Sequence, residues 1–395
     1  MKKILINLGR ILISVGILIY LFNNILQDET ESALQPFIAA PTLPATLPPG
    51  LTAQQASRIY TECRVKAEDE TFAVDLAKLP RAERLAIVWN LGPRNLRQSF
   101  QKISLPWFVL AVALMGAVIL CGVLRWQWIL RVQGLELSFW RACSISFIGM
   151  FFNAFMLGAT GGDVMKAWYV ARETHHKKAE AVATVIVDRV IGLLVLFVIA
   201  LVMMVIFWRR VFDDPRLRTF AVFTLLVVGG TVGATVIGFW KGFADKLPGL
   251  RRNLERLPKY ETLRRMIDAY RVYATHPAVL LRTALVTVGV HGFSMLSIAC
   301  IGRGLGITQA KLVDYFLYLP IINSISAVPI SISGFGVREG MYVTMFDRIG
   351  VPGAAALALS LLGYLAVLIW SIVGAGFYLT HRKDIPSTET MAQEE

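Results

Sequence analysis

Apolar residues gather along this chain in eight runs, at 4–25, 106–130, 139–157, 181–208, 219–240, 278–302, 312–330 and 353–380. An α-helix rises 1.5 Å per residue, so about 20 apolar residues cross the roughly 30 Å hydrocarbon layer of a bilayer. Several runs reach that length. The longer polar stretches are 27–104 and an Arg-rich segment at 241–276. The pattern predicts an all-α integral membrane protein, a polytopic helix bundle.

Charge orients the runs. Lys2 and Lys3 precede the first, and His381, Arg382 and Lys383 follow the last. Segment 241–276 holds nine Lys and Arg against four Asp and Glu, and 166–178 carries Lys166, Arg172, Lys177 and Lys178. Basic loops stay cytoplasmic, which places both termini and both segments inside. Eight plain crossings cannot satisfy that. Run 139–157 then begins and ends on the inner side, and by the same parity 312–345 begins and ends on the outer side. The expectation is about six full spans plus two re-entrant helical segments, in an inverted-repeat arrangement. A simpler reading, in which 139–157 spans and the charge rule fails locally, stays open.

Domain organisation follows. Residues 1–26 read as an N-terminal transmembrane anchor; the run is long for a signal peptide, and no small-residue cleavage site follows closely. Residues 27–104 read as an extracytoplasmic polar insertion with short helices. It has a proline-rich extended linker over 36–49, then helices near 53–70, 81–90 and 94–103. Residues 105–380 form the membrane domain, with 241–276 as a cytoplasmic amphipathic loop and 381–395 as a cytoplasmic tail. Within that loop Leu263, Met266, Ile267, Tyr270 and Tyr273 recur at helical spacing. Such a helix lies on the inner membrane surface or against the underside of the bundle.

Composition agrees: 55% of residues are hydrophobic and 17% charged, with mean hydropathy +0.58. The net charge of +13 suits cytoplasmic loops beside anionic lipid. No basic-aromatic module for nucleic acid accompanies it. Of four cysteines, Cys121, Cys143 and Cys300 lie in apolar runs and Cys63 stands alone. That excludes a disulfide framework and offers no metal-ligand spacing. No P-loop, Gly-x-Ser-x-Gly or His-Glu-x-x-His occurs. No catalytic, cofactor or metal residue is therefore assigned.

Two Gly-rich, charged knots interrupt the apolar background, at 158–166 and 331–340. Charge and bent backbone are costly in hydrocarbon unless protein or water receives them. In the first knot Gly161 and Gly162 permit unusual backbone, Asp163 is placed to cap the next helix, and Lys166 with nearby amides suits a phosphate. The second holds Gly334, Gly336, Arg338 and Glu339, after a run with Asn323, Ser324 and Pro329. Asp188 and Arg189 sit inside run 181–208, about 100° apart on a helix, so each needs its own partner. Arg125 lies deep in its run, whereas Trp126, Trp128 and Arg131 read as an interfacial belt. His291 reads as a packed, hydrogen-bonded residue. Structural salt bridges and simple helix starts are the bland alternatives for all these charges.

Arg125-Trp126, Gly161-Gly162-Asp163-x-x-Lys166-Ala167, Ala183-x-x-x-x-Asp188-Arg189 and Gly334-Phe335-Gly336-Val337-Arg338-Glu339-Gly340 follow one another in this order. In that order and spacing the chain resembles the lysylphosphatidylglycerol synthase transmembrane region, or flippase-like domain family, over about 106–380. Asp188 stands where that family more often has Glu, and the 27–104 segment is not typical of it. The resemblance implies a multi-pass protein of a prokaryotic cytoplasmic membrane. In some members the membrane part is fused to an aminoacyltransferase and moves its product lipid. Others are fused to glycosyltransferases or stand alone. This chain stops about 15 residues after its last run, so a stand-alone domain is expected.

The expected function is translocation of an anionic lipid, a phospholipid or a polyprenyl-phosphate-linked one. The alternative is a membrane enzyme or accessory subunit acting on lipid-linked substrates in cell-envelope synthesis. Membrane lipids, and a separate glycosyltransferase or lipid-modifying enzyme, are the expected partners.

Overall fold

The computed structural model describes residues 2–40, 42–44, 46–48, 51–66, 72–101, 103–155, 161–173, 177–239, 268–269, 271–327 and 334–381. Helix α1 (Lys2–Ala39) is 38 residues long and passes without interruption through residue 26 and over Pro36. Part of the expected linker is thus helix. Helix α2 (Ala53–Glu62) starts on a capping box between Thr52 and Gln55 and stops well short of residue 70. The chain then forms a two-stranded antiparallel sheet, β1 (Arg64–Lys66) against β2 (Phe72–Val74), with Val65 opposite Ala73. The Arg64 guanidinium lies 3.6 Å from the centre of the Phe72 ring. Helix α3 (Arg81–Gln101) is continuous where two helices were expected, and carries Pro93 inside it. Tertiary packing outweighs the one lost backbone bond. Gly92 presses so closely on α1 that a Cβ there would strike the Leu26 backbone.

This cap shares its core with the membrane part. Ile25, Leu26 and Leu34 of α1 pack with Ile59, Cys63 and Leu91, and the same cluster takes in Ala354 and Leu357.

The bundle consists of two halves with the same element order. The first is α4 (Leu105–Val132), α5 (Phe139–Phe155), α6 (Gly161–Glu173) and α7 (Lys178–Ile206). A short α8 (Trp208–Asp213) and α9 (Pro215–Phe239) follow. The second half is α10 (Pro277–Gly304), α11 (Leu312–Ser326), α12 (Val337–Asp347) and α13 (Gly353–His381). Among the described residues four helices, α4, α7, α10 and α13, are long and apolar enough to cross a membrane. At 28–29 residues they span about 42 Å. The other expected spans fall on helix too, at α1 and α9. Residues 240–267, most of the expected basic loop, lie outside the described residues. At its end Tyr273 is buried and donates to the Ile129 carbonyl at 3.0 Å, so this stretch packs under the bundle.

Between the long helices sit two helical hairpins. In the first, Arg141 and Glu173 pair at the open end (2.5 Å), and the Gly162 amide donates to the Asn153 side chain at the closed end (2.8 Å). Helices α5 and α6 therefore run antiparallel. Their 17 and 13 residues reach about 25 and 20 Å, less than a bilayer's hydrocarbon. In the second, the rings of Tyr315 and Tyr318 pack on Phe346 at the open end. Gly334 lies beside Ser326 at the closed end.

The hairpins point in opposite directions. The open end of the first lies where α4 ends, with the Lys177 ammonium donating to the Gln133 carbonyl at 3.1 Å. The open end of the second lies where α7 ends, tied by Arg210–Asp314 at 3.0 Å and Arg348–Asp214 at 3.2 Å. Packing between the halves is reciprocal: α5 rests on α13 as α11 rests on α7, and α7 touches α10 as α13 touches α4. Helices α4 and α10 form the antiparallel centre, joined by the Ser297 hydroxyl donating to the Ala111 carbonyl at 2.8 Å. This is an inverted repeat.

Cys63 reports on the cap. It is fully buried, and burial beside Glu62 pushes its thiol up to about 11. The reactive thiolate is scarce at neutral pH. With the other three cysteines replaced by Ala, maleimide at pH 7.5 should modify Cys63 at least roughly tenfold more slowly in folded than in denatured protein. Equal rates would mean the cap core is open.

Candidate functional site

Asp188 is the hub of the first charged cluster. It accepts from Arg125 Nε at 2.8 Å and lies 3.6 Å from Lys166 Nζ. Arg125 also donates to Thr287 at 3.1 Å, and Lys166 sits 3.7 Å over the Trp126 ring. Arg125, Asp188 and Lys166 are 11–12% exposed. Depth follows from helix geometry. Arg125 is seven residues before the end of α4, and Asp188 and Thr287 are each ten residues past the starts of α7 and α10. That is about 10–15 Å from the same end of the bundle. Charges at this depth must be compensated inside the protein.

Arg189 faces elsewhere, as its 100° offset requires. Its guanidinium makes a two-pronged pair with Asp163, at 2.6 and 2.7 Å. Arg189 is 54% exposed, so part of its fork stays open to another acceptor. Three cations against two carboxylates leave one positive charge in excess in this cluster.

Asp163 does not cap its helix. It is the third residue of α6 and is engaged by Arg189; the cap comes from Asn153 on the preceding helix. Gly161 opens α6. Gly162 is required by proximity, since a Cβ there would overlap the Gly149 carbonyl and the Asn153 side chain. Residues 158–160 of the first knot lie outside the described residues.

The second cluster is built differently. Glu339 is fully buried. It accepts from Arg338 at 2.6 Å, from Ser360 at 3.2 Å and from the Gly336 amide at 2.7 Å, capping α12. Gly336 has φ +84° and lies against Ser14 and Ile17 of α1, and Gly334 has φ +77°; L side chains rarely adopt either. Arg338 stacks near the rings of Phe335 and Tyr364. Residues 331–333 and Pro329 lie outside the described residues.

Among the described residues no ion pair joins the two clusters. The two clusters meet through a bridge. Tyr364, with Arg338 4.9 Å from its ring centre, donates at 3.4 Å to the Ala154 carbonyl at the tip of the first hairpin. Counted from their helix starts, Asp163 and Glu339 are both third residues, and Arg189 and Tyr364 are both twelfth. The clusters thus occupy matching positions of the repeat.

Sequence reasoning missed Asn153, Thr287, Ser360 and Tyr364. It also placed Trp126 in an interfacial belt, whereas Trp126 is fully buried and donates to Thr184 at 3.3 Å. Arg125 directly before it was the available signal, because a buried arginine needs neighbours. His291 is packed as expected, with a ring nitrogen 3.1 Å from the Gly192 carbonyl. The described residues contain no group of three or more His, Cys, Asp or Glu that could hold a metal.

Comparison with known proteins fits this arrangement. A family model described as the lysylphosphatidylglycerol synthase TM region matches residues 76–376. The match begins inside the cap, so part of the 27–104 segment is shared with that family. A "UPF0104 membrane protein" of Pyrococcus horikoshii is 23% identical over 325 residues, covering 77% of this chain and 96% of that one. Another from Methanothermobacter thermautotrophicus is 24% identical over 298 residues, covering 69% and 84%. No solved structure matches.

The two aspartates should differ in their effect on stability. Asp188→Ala leaves two buried cations uncompensated and should cost about 3–5 kcal/mol. Asp163→Ala leaves one cation uncompensated rather than two, and that arginine keeps an open side, so it should cost less. Thermal unfolding in detergent checks the order; equal losses would contradict it.

Proposed function

Because the chain belongs to the lysylphosphatidylglycerol synthase transmembrane region family, we propose that this integral membrane protein translocates an anionic, phosphate-bearing lipid across the cytoplasmic membrane. The observation that carries the reading is the convergence of two arginines and two helix N-termini on one layer of the bundle. Helix α6 starts at the tip of the first hairpin and α12 at the tip of the second, so both positive dipole ends point toward the layer where the tips meet. Arg189 pairs with Asp163 of α6, and Arg338 lies beside Tyr364, which bonds the first tip at Ala154.

Both hairpins are re-entrant in this reading. The basic termini put the end where α4 finishes and α13 stops on the cytoplasmic side, with the cap outside. A headgroup phosphate engages the open part of the Arg189 fork and passes Tyr364 to reach Arg338, while its hydrocarbon tails stay out of the charged layer. Lys166 and Asp188 hold Arg125 and the hairpin in place, and the excess positive charge favours an anion over a neutral headgroup.

Proteoliposomes test this. The wild-type chain should accelerate movement of labelled phosphatidylglycerol or a polyprenyl phosphate, and phosphatidylcholine much less. Arg189→Ala should reduce the rate at least roughly tenfold, the loss of one charge-assisted contact. Folded protein that accelerates none of these lipids would overturn the proposal. Release of the headgroup in the same vesicles would favour an enzyme instead.

A further inference from the structure

A groove of about 380 Å³ opens beside the second hairpin. Leu18, Leu21 and Phe22 of α1 form one wall, Leu357 and Leu361 of α13 the other, and Trp89 with Phe100 of α3 close it from the cap. Asn23 is its one polar wall residue among the described residues. The volume falls within the range of small-molecule sites.

Its depth and its neighbours define what fits. Leu357 and Leu361 lie four and eight residues past the start of α13, about 6–12 Å below that end of the bundle. That is the depth of lipid tails, and Trp89 is 55% exposed there. The groove also adjoins the second charged cluster. Ser360, which bonds Arg338 and Glu339, precedes Leu361 on α13. Gly340, next to Glu339, lacks the side chain that would meet Leu21 at 3.4 Å. An apolar slot and a cationic fork therefore share walls, a pairing that matches an amphiphile with an anionic head.

We propose that this groove holds one hydrocarbon tail of the lipid whose headgroup engages Arg338, so that the cap and anchor select the lipid by its tail. The inference rests on the translocation reading for the identity of the lipid, and on the groove alone for the tail. The 27–104 segment thereby gains a role: α3 forms the upper wall of a tail site. Hydrocarbon fits because every wall residue but one is apolar and the groove lies at membrane depth.

The test uses the full chain in vesicles with phosphatidylglycerol carrying a diazirine in one tail. Illumination should label peptides of α1, α3 and α13 around the groove. Leu361→Trp and Leu18→Trp, which fill it from opposite walls, should each cut that labelling at least fivefold and slow translocation at least fivefold. Val198→Trp, on a lipid-facing surface of α7 (Val198 is 55% exposed), should change neither. Each variant should match the wild-type chain in thermal unfolding in detergent, which controls for misfolding of the bulkier ones. Labelling spread evenly over lipid-facing helices, or unchanged by both tryptophans, would overturn the inference. The two readings fail separately. If translocation depends on Arg189 while groove labelling is absent, only the tail site falls. If the groove labels and the tryptophans block it while no lipid moves, only translocation falls.

Discussion

The buried pairing of Asp188 with Arg125 and Lys166 is the constraint that the first half of this bundle obeys. A lone charge at this depth in hydrocarbon is strongly disfavoured, so the three groups must be brought together whatever else the fold does. They come from α4, α6 and α7, and Thr287 of α10 completes the set. Meeting that demand fixes how deep the first hairpin inserts and which face of α6 it presents. The close contact of Gly162 with Gly149 then follows, because only bare backbone lets α6 sit near enough to α5.

The inverted repeat shows one solution used twice with different outcomes. Asp163 and Glu339 hold equivalent places, yet Glu339 is enclosed and satisfied by its own helix start, whereas Asp163 is held by an arginine on a neighbouring span. The second half thus seals its acid, and the first keeps a partly open cation. Helix α1 explains part of the difference. It lies along α12, with Ser14, Ile17 and Leu21 against Gly336 and Gly340, and the described residues show no such extra helix on α6.

Much of this was legible in the sequence, and the limits have physical causes. Apolar run length located the long helices, because crossing a bilayer imposes a length that soluble folds do not share. Charge parity suggested two segments that turn back, and the structure has two short hairpins there. The offset of Asp188 from Arg189 gave two partners, as found. Partner identity was not legible: Asn153 acts across the first hairpin's tip and Tyr364 reaches that tip from α13, contacts that only the fold brings about. Trp126 was misplaced because belt and core tryptophans look alike in one dimension. In the cap, Pro93 reads as a helix end, but contact with α1 outweighs local propensity, and three-residue strands carry too little pattern to detect.

How the two hairpins are held suggests where motion costs least. At their open ends they are tied by ion pairs: Arg141–Glu173 in the first, and Arg210–Asp314 with Arg348–Asp214 in the second. The tip of the first hairpin is joined to α13 by one long hydrogen bond, from Tyr364 to the Ala154 carbonyl, worth about 1 kcal/mol or less. The mouths are thus anchored by charge, and the first hairpin meets α13 through a weak contact. Breaking that contact leaves the Asp188 network intact, since that network joins α6 to α4 and α7 rather than to α13. In the proposed translocation, a phosphate reaching Arg338 past the first hairpin's tip would replace the Tyr364 contact with stronger charge-assisted ones.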